Sequence, residues 1–234
     1  MSKTRITAAI ALLALFGLLL YQFGLFIMVI WLKFNNPNTS AFMRATLTEL
    51  QADAPKAHID FVWVPYDRIS ANLKRAVVAS EDSNFTGHGG VEWDAIRRAL
   101  EYNLQMADEG RSRMRGGSTI SQQLAKNLFL SSDRSYLRKG QELILTYMIE
   151  AVMSKRRILE LYLNVAQWGV NVFGAQAAAK HYFKRDAAQL TSSQAARLAA
   201  MLPNPAYYDK RGNTSYLQSR TATLLRRMRQ VTIP

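Results

Sequence analysis

Between Arg5 and Lys33 no side chain is charged. Leu, Ile, Ala, Phe and Val fill the run from Ile6 to Leu32, broken chiefly by Tyr21 and Gln22. Inside hydrocarbon a backbone has no water to bond, so a run of this kind must close its own hydrogen bonds as a helix. At about 1.5 Å per residue the helix is roughly 40 Å long, longer than the roughly 30 Å hydrocarbon core of a bilayer. A tilted, membrane-spanning helix satisfies both figures, with Trp31 and Lys33 where interfacial anchors belong. A cleaved signal peptide would show a shorter apolar core and then an Ala-x-Ala-like site, and no clear one follows. The flanking charges nearly balance, with Lys3 and Arg5 before the span and Lys33 and Arg44 after it. The short amino-terminal tail is easier to leave inside, which exports the rest. Residues 1–34 thus read as a cytoplasmic stub and anchor, 35–58 as a juxtamembrane connector and 59–234 as one exported domain.

The balance of 30 Lys plus Arg against 17 Asp plus Glu, a formal charge of +13, favours anionic partners without choosing among nucleic acid, anionic lipid and phosphorylated substrates. There are no cysteines, which excludes disulfides and Cys-based zinc sites. His58, His88 and His181 are scattered, so a dedicated transition-metal site is not expected. Carboxylates and substrate phosphates leave room for a hard divalent cation, Mg or Mn.

Beyond the turn-forming Asn35 to Ser40, the pattern predicts a helix around Phe42 to Gln51 and a short strand at Phe61 to Val64 that stops at Pro65. Ser70 caps a helix running to Glu81. Val91 to Met106 is a second helix, with Trp93, Ile96, Leu100 and Leu104 at helical spacing. Ala107 to Gly117, carrying Arg111, Arg113 and Arg115, breaks the pattern and reads as a mobile basic loop. Thr119-Ile120-Ser121-Gln122 forms a capping box. Tyr136 to Ser154, apolar on most sides, reads as a buried central helix. Ile158–Val165, Phe173–Phe183 and Ser192–Leu202 are further helices, with Pro203 and Pro205 ending the last. Thr221 to Gln230 is a basic helical tail.

Three runs carry chemistry. Glu81-Asp82-Ser83-Asn84-Phe85-Thr86-Gly87-His88 places two carboxylates after an apolar helix. Neighbours on a helix point about 100° apart, so Glu81 and Asp82 have different roles; a solvated acidic helix end is the plain alternative. Gly116 to Asn127 supplies glycines that admit close backbone approach, a helix start at Ser118 or Thr119 whose free N–H groups attract phosphate, and Lys126 one turn past Gln122. A capped helix with a surface lysine is its plain alternative. The run lacks the Gly-Lys-Ser/Thr ending of a nucleotide P-loop. Arg134, Arg138 and Glu142 recur every four residues and share a face, as either a cationic cradle or a structural ion pair.

The order and content of these runs resemble the peptidoglycan glycosyltransferases, penicillin-binding-protein type, of glycosyltransferase family 51. Lys155 to Asn164 and Gly174 to Phe183 resemble that family's fourth and fifth motifs, and the likeness covers about Trp63 to Pro205. Departures fall at Gln167, Gln176 and Gln194. The resemblance implies an all-α, lysozyme-like domain behind a single transmembrane helix, with its cleft facing the membrane. It implies polymerisation of lipid II onto a growing glycan in the bacterial inner membrane, with the catalytic domain periplasmic. Glu81 would be the general base and Glu142 the second catalytic carboxylate, near the leaving diphosphate or its metal ion. Ser118, Thr119, Gln122, Gln123, Lys126, Asn127, Arg134 and Arg138 would bind substrate and diphosphate. Asp82, Phe85, His88 and Lys155 would support them. Membrane lipid, and cell-division or elongation proteins, are the further partners it leaves room for; nucleic acid is not one. With no Ser-x-x-Lys or Lys-Thr-Gly element, the chain resembles the monofunctional branch. Two other classes are open on the residues alone. A hydrolase or lytic transglycosylase also needs two carboxylates but has no diphosphate to hold. A basic membrane scaffold would account for the charge but not for carboxylates set between cationic motifs.

Overall fold

The computed structural model describes residues 3–111, 116–130 and 135–234. Helix dominates, as α1 (Lys3–Phe34), α2 (Ala41–Asp53), α3 (Ala71–Glu81), α4 (Trp93–Asp108), α5 (Ile120–Phe129), α6 (Tyr136–Val152), α7 (Lys155–Val165), α8 (Ala175–Phe183), α9 (Ser192–Met201), α10 (Pro205–Arg211) and α11 (Ser215–Arg227). The strand expected at 61–64 is shorter and earlier: β1 (Asp60–Phe61) pairs in parallel with β2 (Val172–Phe173). Asn164 explains the early stop. Its buried side chain accepts from Val64 N and donates to Val64 O, both at 2.9 Å, taking the groups a ladder would use.

α7 is the helix buried on most sides: Ile158, Leu159, Leu161, Tyr162, Leu163, Asn164 and Val165 are all inaccessible. The sequence assigned that place to α6, and this is corrected. α6 buries only Glu142, Leu145, Thr146 and Ile149, while Ile144 and Tyr147 remain 44% and 46% exposed. α6 keeps this apolar surplus while packing against α1. α4 shows the same surplus, with Trp93, Leu100 and Leu104 each about three-fifths exposed. Pro205 opens a short helix rather than only closing α9, a place where proline's missing N–H is no loss. The basic tail is part of α11, whose Leu217, Leu224 and Met228 are buried where it packs on α9 and α3. The basic loop begins after Asp108; Arg111 pairs with Glu109 at 3.1 Å, and Arg113 and Arg115 lie outside the described residues.

The apolar helix is joined to the domain at two levels. Arg157, at the start of α7, donates to Leu32 O from Nε at 3.0 Å and from Nη2 at 2.9 Å, and to Asn35 O at 2.7 Å. A guanidinium there satisfies the last carbonyls of α1 and meets the negative end of its dipole. Nearer the middle of α1, Gln22 and Gln141 of α6 exchange amide hydrogen bonds at 2.6 and 3.1 Å.

Gly174 turns the chain from β2 into α8 at φ +82°, and a Cβ there would sit 2.6 Å from the Asn164 carbonyl oxygen. Gly174→Ala is therefore expected to cost about 3 kcal/mol, read as a melting temperature roughly 6–12 °C lower in detergent. An unchanged melting temperature would show that the turn relaxes without strain.

Candidate active site

Ser70 caps the start of α3, and the helix ends at Glu81 because its buried stripe stops at Ala79 and Asp82 leaves the helical region. That break turns the two carboxylates apart. Asp82 goes inward: Oδ2 accepts from Ile120 N at 3.0 Å, and Oδ1 accepts from His88 Nε2 at 2.9 Å. His88 Nδ1 accepts from Gly90 N at 3.1 Å, which fixes the ring's tautomer. The anion sits on the first turn of α5, where the helix dipole favours it. Asp82 and His88 thus form a latch between α3 and α5. With Glu92 they bring one ligand atom each within 4.8 Å of one another. The aspartate and imidazole use those atoms on each other and on backbone N–H groups, so the trio is not a ready metal site.

The capping box is present as read: Thr119 Oγ1 accepts from Gln122 N at 3.2 Å, and Gln122 Oε1 accepts from Thr119 N at 3.0 Å. Thr119 Oγ1 also donates to the carbonyl of Gly90. Gly90 itself has φ +98°, and a Cβ there would meet Glu150 Cγ at 2.7 Å. Glu150 accepts from Ser121 and from Lys155 Nζ, and Lys155 lies 4.7 Å above the buried ring of Phe85. Gln122, Phe85, His88 and Lys155 therefore hold the loop and helix together behind the site. Buried Asn127 continues the packed face of α5.

Glu81 turns outward, onto the wall of a cavity of about 830 Å³. The cavity is lined as well by Ser118, Thr119, Gln123, Tyr216, Arg220 and Arg227. Glu81 Oε1 accepts from Ser80 Oγ at 2.8 Å, and Oε2 accepts from Gln123 Nε2 at 3.0 Å. Gln123 Oε1 accepts from Tyr162 O–H at 3.0 Å, and Ser80 Oγ accepts from Arg220 Nη2 at 3.1 Å. Burial, then the neighbouring charges of Glu81 and Asp82, pushes the Tyr162 phenol well above its ordinary pKa.

One turn beyond Gln123 on α5 lies Lys126, half-buried. Burial lowers its pKa, and it feels Glu142, Arg138, Lys139 and Glu81. Glu142 is 3% exposed; Arg138 Nη1 donates to one of its oxygens at 3.0 Å and Lys139 donates to the other. Arg138 Nε is buried with no partner among the described residues. Lys126, Arg138 and Glu142 do not line the 830 Å³ cavity; they form a second, cationic node beyond Gln123. Arg134 lies outside the described residues. A divalent ion at Glu142 would have to displace both cations, so the residues present do not offer it a prepared seat. Glu160 and Asn164 are structural, Glu160 accepting from Tyr66 N at 2.8 Å.

Ser80, Tyr162 and Arg220 were not singled out from the sequence. Tyr162 stands in a run whose apolar periodicity marks it as core. Arg220 reaches the site from 140 residues beyond Ser80, with no local signal. The three glutamines that depart from the family pattern make local bonds; Gln194 completes a capping box with Thr191, a role Gln and Glu fill alike.

Comparison with known proteins supplies the family. Residues 47–229 match the family model described as Transglycosylase. The chain is 64% identical to the biosynthetic peptidoglycan transglycosylase of Bordetella pertussis over 98% of its own length and 95% of that protein. Against the proteins of that name from Herminiimonas arsenicoxydans and Laribacter hongkongensis it is 56% identical over 92% of both chains and 52% identical over the whole of both. A family model matched over most of the chain, and relatives more than half identical along nearly its whole length, show that this chain belongs to the transglycosylase family and is a peptidoglycan glycosyltransferase.

Proposed function

We propose that the protein polymerises lipid II into β-1,4-linked glycan at the outer face of the bacterial inner membrane, with Glu81 as general base. The acceptor's 4-hydroxyl gives its proton to Glu81 as its oxygen bonds to the donor's anomeric carbon. The bond from that carbon to the diphosphate breaks with inversion, and undecaprenyl diphosphate leaves. Lys126 and Arg138 offset the charge that grows on the leaving group; Arg134 belongs to the same proposal. Glu142 holds Arg138 and Lys139 in place. Ser118 lines the cavity where sugar must lie. The observation that carries this reading is the position of Gln123. It donates to Glu81, and on the same helix face one turn later stands a half-buried lysine within the field of both Glu81 and Glu142.

Apolar surface supports a cleft that faces lipid. Tyr136 and Leu137, at the start of α6, are 98% and 89% exposed. They precede Gln141, which meets α1 at Gln22, roughly 18 Å along the helix from Phe34. Side chains at that depth lie in hydrocarbon if α1 spans the bilayer. Lipid-linked substrates would then reach the cavity without leaving the membrane.

Incubating the detergent-solubilised protein separately with lipid II and with finished sacculi tests the reaction class. Polymer with released undecaprenyl diphosphate from the first, and no fragments from the second, is the expected result. Fragments from sacculi and no polymer would replace the reading with a glycan-cleaving one.

A further inference from the structure

We infer that Tyr162 and Arg220 are positioning residues that fix the Glu81 carboxylate from behind, one through Gln123 and the other through Ser80. The inference rests on the reading of Glu81 as the base. Each Glu81 oxygen meets one neutral donor, at 2.8 Å from Ser80 and 3.0 Å from Gln123. Neither donor is locked by its own chemistry. A glutamine amide can turn over and present oxygen where it presented NH₂, and a serine hydroxyl has one proton and a free rotor. The second contacts remove that freedom.

Tyr162 is 1% exposed, and its phenol, with the pKa pushed up by burial, keeps its proton. That proton is donated to Gln123 Oε1 at 3.0 Å, so the amide oxygen stays toward α7 and the NH₂ toward Glu81. Ser80 has two acceptors in reach, Glu81 Oε1 at 2.8 Å and the Ala199 carbonyl at 3.2 Å. Arg220 has no acceptor to offer, so its Nη2 must donate to Ser80 Oγ. It occupies a lone pair and leaves the single proton for the nearer oxygen. α7 and α11 thus each fix one of the two donors to the carboxylate, α7 through Gln123 and α11 through Ser80. The fold supplies this through packing that brings α11 against α3 and α7 against α5.

Loss of either clamp should let the carboxylate rotate and weaken one donor. A carboxylate with fewer donors is more basic, so its pKa rises and the acid limb of the rate profile moves to higher pH. The other charged or titratable groups around Glu81 are Asp82 just past α3, Lys126 on α5, and Glu92, Arg98, Tyr102, Tyr216 and Arg227 lining the cavity. None of them is altered by the variants below.

The test measures lipid II polymerisation against pH for Tyr162→Phe, Arg220→Met, Arg220→Lys and Glu81→Gln, each checked for folding by thermal denaturation. Tyr162→Phe and Arg220→Met are expected to lower kcat roughly tenfold, a fraction of what a positioned base supplies. KM should stay within about twofold while the acid limb moves up. Arg220→Lys, which keeps a donor for Ser80, should recover part of the rate. A folded Tyr162→Phe and a folded Arg220→Met with wild-type kcat and an unmoved acid limb overturn the proposal. So does a rise in KM at constant kcat, which would make these residues substrate contacts. If Tyr162→Phe does not fold, the two Arg220 variants decide alone. An inactive Glu81→Gln beside normal Tyr162→Phe and Arg220→Met sinks the positioning role and leaves the base in place. An active Glu81→Gln removes both.

Discussion

Glu81→Gln should leave the domain folded and its polymerisation rate lower by about 10²–10⁴-fold, the contribution of a positioned general base. The substitution keeps the side chain's length and shape, and Glu81 lies on a cavity wall rather than in the core. Ser80 can still donate to the amide oxygen. The neighbouring Asp82, by contrast, is 5% exposed and ties Ile120 to His88, so its replacement would test the fold and not the chemistry. The two adjacent acids are separated by where α3 stops. Rates of lipid II consumption, with circular dichroism of the same samples, measure the effect. A folded Glu81→Gln protein polymerising at near the wild-type rate takes the base out of the mechanism.

Lys126→Met is the second large effect. A cation placed to meet charge on a leaving diphosphate is worth about 10²–10³ in rate, and the loss should appear in kcat/KM. The pH dependence gives a sign. Burial lowers the pKa of this lysine, so its charge is lost as pH rises through a value below that of an ordinary lysine. The alkaline limb of the profile should therefore fall earlier than a free ammonium would set it. Lys126→Arg, whose guanidinium stays charged, should move that limb upward even where the rate is lower. An alkaline limb common to wild type and Lys126→Arg would assign it to another group. Stability should change little or improve, because burial disfavours the charged form of this lysine.

Local signals in the sequence were sufficient for most of the helices and for the turn into α5, but not for α10, the first half of α11 or the strand at Val172–Phe173. Thr119 and Gln122 are three residues apart, and a capping box involves only those two side chains and the backbone between them. The apolar helix was equally legible, because a long uncharged run has few other uses. Burial was less legible. The pattern of α6 records that Ile144 and Tyr147 are apolar, but not whether protein or lipid is to cover them. α11 looked like a basic tail because Arg226 and Arg227 outweigh the spaced Leu217, Leu224 and Met228 that dock it on α9. The same limit applied at the site. Glu81, Gln123 and Lys126 sit in runs whose residue types suggest chemistry. Tyr162 and Arg220 act through contacts between helices remote in sequence, and nothing next to either residue marks that use.

Binding and turnover of lipid II, measured together on Glu81→Gln and Lys126→Met, test the central division of labour most directly. The account predicts that Glu81→Gln holds lipid II with a Kd within about threefold of wild type and polymerises it at least about 100-fold more slowly, while Lys126→Met is weakened in both. A Glu81→Gln protein that loses binding with its turnover, or a Lys126→Met protein that keeps both, would contradict a base and a diphosphate cradle with separate roles.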